Sequence, residues 1–326
     1  MAQNHAVTVL LYTMSTTMNK PKFQGIIPPM ITPLLEEDQI DILGLERLLD
    51  HMISGGIHGI FILGTTGEST SLSYRLRHEL VRLTCKMVNG RLPVLVGITD
   101  TAATESIRLA NTAKEEGAAA VVAAPPYYFN LGQPELIEYY EYLIRKLPLP
   151  LFLYNMPSHT KIIIEPNTVK TLSNYKEIIG LKDSSANNAY FNNLVHKMKD
   201  QPDFSLFVGP EEIMAETVLL GADGGVNGGA NMFPKLYTKL YEAAKTGDIT
   251  RVKELHSVVM QISSQLYSLG HYGSSYLKGI KGALSLMGIC SDYMASPLHR
   301  FRAEDREKLA CNLQRIQERV DQLQLR

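Results

Sequence analysis

The sequence predicts an α/β protein built as a (β/α)8 TIM barrel with a C-terminal helical appendage. From Phe23 onward, short apolar and β-branched runs alternate with longer amphipathic stretches, the pattern of parallel strands joined by crossover helices. Eight such runs fall within about 210 residues, which points to a closed barrel more than to an open doubly wound sheet. After Phe233 the strand signals stop and only helical patterns follow.

Residues 1–22 are expected to form a poorly ordered N-terminal extension. Their one apolar run, residues 7–12, has no basic start and no clear cleavage site after it, so no signal peptide is expected, and Met14 and Met18 offer alternative translation starts to Met1. The barrel core is expected over residues 23–232. Its strands are predicted at 25–32, 59–63, 93–98, 119–123, 150–154, 178–182, 204–208 and 224–227. Helices are predicted at 41–54, 73–88, 104–116, 134–146 and 210–219, opened by Asp41, Ser73, Thr104, Pro134 and Pro210 as helix starts commonly are. Residues 233–326 are expected to supply a barrel-closing helix and a helical appendage, at 235–245, 248–270, 274–286 and 303–323.

Composition narrows the function. Lys and Arg number 32 against 33 Asp and Glu, a net charge of -1, and no basic stretch stands out, so nucleic acid is not an expected partner. No run approaches the roughly 18 apolar residues of a membrane span. Cys85, Cys290 and Cys311 have no zinc-like spacing and an odd count, which fits a reducing cytoplasm. Neither GxGxxG nor GxxxxGK[ST] occurs, and no HExxH or EF-hand loop supports a metal. A phosphate-binding barrel is disfavoured because 228–231 has no basic residue before Lys235.

In such a barrel the chemistry sits where the strands end. Lys182 closes the apolar run from Ile178, and desolvation there disfavours its charged form, making available an amine nucleophile for Schiff-base chemistry. The plain alternative is a strand-capping lysine paired with Asp183 in solvent. Tyr154 ends the preceding strand, one β/α unit earlier, where a phenol beside an amine can shuttle protons; alternatively it only fills the barrel mouth. The turn Gly64-Thr65-Thr66-Gly67-Glu68 offers backbone N–H groups and two hydroxyls to a carboxylate, or is an ordinary strand-to-helix turn. Tyr127 and Tyr128, after Pro125-Pro126, read equally as surface or interface aromatics.

Gly64-Thr65-Thr66-Gly67-Glu68, Pro125-Pro126-Tyr127-Tyr128, Tyr154-Asn155-Met156-Pro157, Gly180-Leu181-Lys182-Asp183 and Gly221-Ala222-Asp223-Gly224 occur in this order along the chain. In them the sequence resembles the dihydrodipicolinate synthase and N-acetylneuraminate lyase family of pyruvate-dependent class I aldolases, from Phe23 essentially to the end. The resemblance implies a lyase with no cofactor beyond the imine that Lys182 forms with pyruvate or a 2-keto acid. Tyr154 would transfer protons, and Thr65, Thr66 and Gly67 would bind the carboxylate. Tyr128 would reach across a tight dimer, within a homotetramer, to the neighbouring site. Dihydrodipicolinate synthases usually carry an arginine five positions after the relay tyrosine, and here His159 stands instead; imidazole does not replace a guanidinium fork. Glu211 and Glu212 resemble a lyase segment that contacts sugar hydroxyls, with Asn227 and Ser185 as further polar groups; the alternative for the two glutamates is charge complementing a helix N-terminus. The expected activity is therefore pyruvate-dependent cleavage or dehydration of a hydroxylated 2-keto acid, such as a 2-keto-3-deoxy sugar acid or a sialic-acid-like substrate. Condensation of pyruvate with aspartate semialdehyde is the alternative within the same class. A non-catalytic barrel that binds a keto acid is the alternative outside it.

Overall fold

The computed structural model describes residues 22–325. Eight parallel strands run in sequence around one sheet: β1 (Gly25–Ile26), β2 (Ile60–Ile62), β3 (Val94–Gly97), β4 (Ala120–Ala123), β5 (Leu151–Asn155), β6 (Ile178–Asp183), β7 (Ser205–Val208) and β8 (Gly224–Gly225). Each pairs with its predecessor from β3 to β8, and β8 pairs with β1. The seam between β1 and β2 is closed by the parallel bridge Pro29↔Phe61, with Met30 N–H donating to the Phe61 carbonyl at 2.8 Å. β1 is much shorter than the predicted 25–32 because Pro28 and Pro29 have no N–H to give a ladder.

Alternation along each strand sorts side chains into two cores. Ile27, Phe61, Leu95, Val122, Phe152, Tyr154, Phe207 and Val226 pack inside the barrel, while the larger cluster, including Leu153 and Leu181, lies between sheet and helices. Gly180 is needed inside: a Cβ there would stand 2.2 Å from the ring of Phe152.

The helices are α1 (Ile42–Ser54), α2 (Tyr74–Val88), α3 (Ala103–Glu115), α4 (Gln133–Ile144), α5 (Pro157–Thr160), α6 (Pro166–Leu172), α7 (Asn188–Lys197), α8 (Met214–Leu219), α9 (Pro234–Thr246), α10 (Ile249–Leu266), α11 (Ser275–Leu286) and α12 (Ala303–Gln322). Asp41, Ser73 and Asp248 lie just outside α1, α2 and α10, each accepting a hydrogen bond from a first-turn N–H. The predicted helix 210–219 is interrupted: Glu211–Ile213 is a 3-10 turn and only Met214–Leu219 is α-helical. The helix predicted at 248–270 ends at Leu266, before Gly270, whose φ of 71° no helix can hold. A two-stranded hairpin, Leu34–Glu36 with Gln39–Ile40, was not foreseen. α10 packs on α9, and α12 on α10 and α11. Among the described residues no helix is long and apolar enough to cross a membrane. The expected N-terminal extension, with Met14 and Met18, lies outside the described residues.

Candidate active site

Lys182 and Tyr154 are register partners on β6 and β5. Neighbours in a parallel ladder point to the same face, so both enter the barrel interior. The Lys182 ammonium stands 4.0 Å from the centre of the Tyr154 ring and 5.3 Å from that of Phe61. It is only 6% exposed. Asp183, its sequence neighbour, does not serve as its counter-ion but is taken by other partners. Asn155 donates to Asp183 Oδ1 at 2.7 Å, Ser185 N–H donates to the same oxygen at 3.1 Å, and the Ser185 hydroxyl donates to Oδ2 at 2.9 Å. Burial pushes the Asp183 carboxyl above its ordinary range despite these donors.

The Tyr154 hydroxyl lies 3.2 Å from Thr65 Oγ1. Burial alone would raise its pKa, but the Lys182 charge and hydrogen bonds with Thr65, Lys182 and Ser184 outweigh burial and bring it below the usual phenol value. A phenol poised in this way beside an amine exchanges protons readily.

Thr65 and Thr66 sit in the turn after β2. Glu68 N–H closes that turn on the Thr65 carbonyl at 3.0 Å, and the Thr32 hydroxyl donates to the Gly67 carbonyl at 2.7 Å. Glu68 anchors the turn from below. Fully buried, it pairs with Lys281 of α11 and accepts from Ala295 N–H at 2.9 Å; Lys281 also donates to the Tyr293 carbonyl at 2.7 Å. Burial holds the Lys281 ammonium below its ordinary pKa although Glu68 opposes the shift.

The remaining sequence-predicted residues divide. His159, on the short α5, is exposed and lies 2.9 Å from the Ser158 hydroxyl. Partial burial of its ring and the charges of Lys161 and Lys182 lower its pKa from the ordinary imidazole value. Tyr128 is 80% exposed, and its ring meets that of Phe129 edge-on at 5.3 Å. Asn227 is fully buried, donating to the Gly209 carbonyl at 2.9 Å. Glu211 and Glu212 face the C-terminal helices. Tyr237 and Tyr267 donate to Glu211 Oε1 at 2.5 Å and 2.9 Å, and Gly229 N–H donates to Oε2 at 2.9 Å, while the Ser263 hydroxyl donates to Glu212. Burial pushes the Glu211 carboxyl up to about 7.

Sequence reasoning missed Tyr276, at the start of α11, whose hydroxyl lies 3.4 Å from Thr66 Oγ1. It missed Ser184 as a partner of Tyr154, and the Glu68–Lys281 pair. Strand-end logic reaches none of the helix residues. Among the described residues no cluster of three or more His, Cys, Asp or Glu is arranged to hold a metal ion.

A closed barrel with an amine and a phenol side by side inside its mouth is suited to the imine chemistry of a class I aldolase. The dihydrodipicolinate synthetase family profile matches residues 22–316, and the chain belongs to that family. A dihydrodipicolinate synthase structure from Bacteroides thetaiotaomicron is 60% identical, spans 90% of this chain and 98% of its own, and superposes with a TM-score of 0.88. The putative 2-dehydro-3-deoxy-D-gluconate aldolase YagE of Escherichia coli K12 is 34% identical over 268 residues, 82% of this chain and 87% of its own. The YagE structure, solved with pyruvate, superposes with a TM-score of 0.86 at 32% identity, over 90% of this chain and 99% of its own. The probable 2-dehydro-3-deoxy-D-pentonate aldolase YjhH of the same organism is 31% identical over 291 residues, 88% of this chain and 95% of its own.

Proposed function

We propose that the enzyme cleaves or dehydrates a hydroxylated 2-keto acid through an imine on Lys182. The observation that carries this reading is the in-register pair of Lys182 and Tyr154, the ammonium 4.0 Å from the ring. In the cleavage direction the Lys182 amine adds to the keto carbon, the carbonyl oxygen leaves as water, and the protonated imine results. Tyr154 gives its proton to that departing oxygen and becomes a phenolate; the imine then accepts the electron pair of the breaking carbon–carbon bond, a charge the site must stabilise, while the Tyr154 phenolate takes the proton of the hydroxyl that becomes the aldehyde. Thr65, Thr66 and Gly67 hold the carboxylate. Tyr128, exposed on its loop, joins the relay of a neighbouring copy within a homotetramer, and His159, Ser185 and Asn227 face the variable end of the substrate. The three cysteines are free thiols, which accords with a reducing cytoplasm.

His159 in place of a guanidinium favours a hydroxylated chain, and the sugar-acid names borne by YagE and YjhH accord with it. The 60% identical protein from Bacteroides thetaiotaomicron bears the name dihydrodipicolinate synthase, which favours the second reading, condensation of pyruvate with aspartate semialdehyde. Borohydride reduction with pyruvate, read by peptide mass, should label Lys182. A product assay across 2-keto-3-deoxy sugar acids, with pyruvate plus aspartate semialdehyde beside them, then ranks the two. Cleavage of at least one sugar acid faster than condensation supports the first reading; efficient condensation with no sugar acid cleaved reverses the order.

A further inference from the structure

We propose that Tyr276, carried by α11, is a positioning residue for the substrate carboxylate: its phenol donates to the Thr66 hydroxyl and so leaves the Thr66 O–H free to donate into the site. The inference rests on the reading that the Thr65-Thr66 turn receives the carboxylate of pyruvate.

A threonine hydroxyl has one proton and two lone pairs, so which way it donates depends on its neighbour. Thr66 is buried, and its Oγ1 lies 3.4 Å from the Tyr276 hydroxyl. If Thr66 gave its proton to Tyr276, it would offer a carboxylate only lone pairs. Burial raises the pKa of Tyr276, so the phenol stays protonated and able to donate.

The surroundings hold Tyr276 in that place. Its ring meets Tyr267 edge-on with centroids 4.8 Å apart. Tyr267 and Tyr237 in turn donate to Glu211 Oε1, so that oxygen is taken by these two phenols. Gly228 and Gly229 after β8 clear the space. A Cβ on Gly228 would stand 1.7 Å from the Tyr276 oxygen, and one on Gly229 would stand 1.9 Å from the Tyr237 oxygen. The glycine pair that offers no phosphate site thus admits two phenols, one from α9 and one from α11.

The test measures the pyruvate concentration that gives half-maximal borohydride labelling of Lys182, in wild type, Tyr276→Phe, Thr66→Val, the double variant and Gly228→Ala. Phenylalanine keeps the ring packing and removes one hydrogen bond, so Tyr276→Phe should raise that concentration about two- to tenfold while labelling at saturation stays near wild type. Gly228→Ala displaces the same phenol and should do likewise. In the Thr66→Val background Tyr276→Phe should add nothing, because no hydroxyl remains to be aimed. A merely structural tyrosine would lower the melting temperature and leave the pyruvate dependence and the coupling to Thr66 unmoved. Wild-type labelling with an unchanged Tyr276→Phe curve, or additive effects with Thr66→Val, overturns the inference and leaves the Schiff-base reading standing. Absence of wild-type labelling overturns both.

Discussion

Replacing Lys281 by methionine removes the only cation paired with Glu68 among the described residues. The carboxylate stays where the fold has put it, fully buried, with Ala295 N–H as its remaining donor at 2.9 Å. Breaking one side of a buried pair typically costs about 3–5 kcal/mol, because the surviving charge has neither water nor counter-ion. For a chain of this length the entropy of unfolding is about 0.7 kcal/mol/K, so the thermal midpoint should fall by about 4–7 °C. The double variant Glu68→Gln, Lys281→Met carries no buried charge and keeps an acceptor for Ala295; it should recover most of the loss. Because Glu68 ends the turn that holds Thr65 and Thr66, the single variant should also need more pyruvate for half-maximal labelling of Lys182. Differential scanning calorimetry on the three proteins, with the labelling titration beside it, reads both effects. A Lys281→Met protein within about 1 kcal/mol of wild type, or a double variant no better than the single one, would refute the claim that the charge pair fixes the turn.

Lys182→Ala should abolish labelling and turnover while the protein stays folded by circular dichroism, since a side chain at the barrel mouth adds little to the layers below; substantial residual turnover would sink the imine. Tyr154→Phe should lower turnover by roughly 10²–10⁴, the span of general acid–base catalysis, and normal turnover would reduce Tyr154 to a packing residue. Glu211 has its carboxyl raised by burial to about 7 from 4.5, so the folded chain holds a proton that the unfolded chain releases earlier; stability from this group is full below about pH 4.5 and falls by about 3 kcal/mol as pH rises through 7. Glu211→Gln should flatten that part of the urea-denaturation profile between pH 5 and 8, and an unchanged slope would remove Glu211 as its source. His159→Arg restores a guanidinium at the rim and should raise kcat/KM for aspartate semialdehyde about tenfold to a hundredfold, with no rise for sugar acids; no gain would show that position 159 does not face the second substrate.

What the sequence made legible is what a strand imposes. Apolar runs that end in Lys182 or Tyr154, or lead into the turn of Thr65, mark both the strand and its C-terminal end, and one β/α unit between Tyr154 and Lys182 is enough to make them register partners. The boundaries that moved did so for local reasons, such as the missing N–H groups of Pro28 and Pro29. Tyr267 and Tyr276 were illegible because a helix of the appendage announces only its buried stripe, and a tyrosine on that stripe reads as core. Whether its hydroxyl reaches Thr66 or Glu211 depends on how α10 and α11 pack on the turns that follow β7 and β8, which no local pattern encodes. Glu211 and Glu212 were ambiguous for the same reason: a carboxylate after a strand end is equally suited to a substrate hydroxyl and to a donor from the next layer, and here Tyr237 and Tyr267 donate to Glu211 and Ser263 donates to Glu212.

That division also bears on how substrate choice can change within one fold. Tyr154 and Phe61 pack edge-on inside the barrel beneath the Lys182 ammonium, and there a change of one ring disturbs the layers around it. His159, on the short α5, and Tyr128, on its loop, are exposed, and exposed positions tolerate replacement that a packed interior does not. On the proposed mechanism, a change at the rim alters the second substrate while Lys182 and Tyr154 stay fixed. Relatives that share the fold at TM-scores of 0.88 and 0.86 accordingly bear the names of a condensing synthase and of a sugar-acid aldolase.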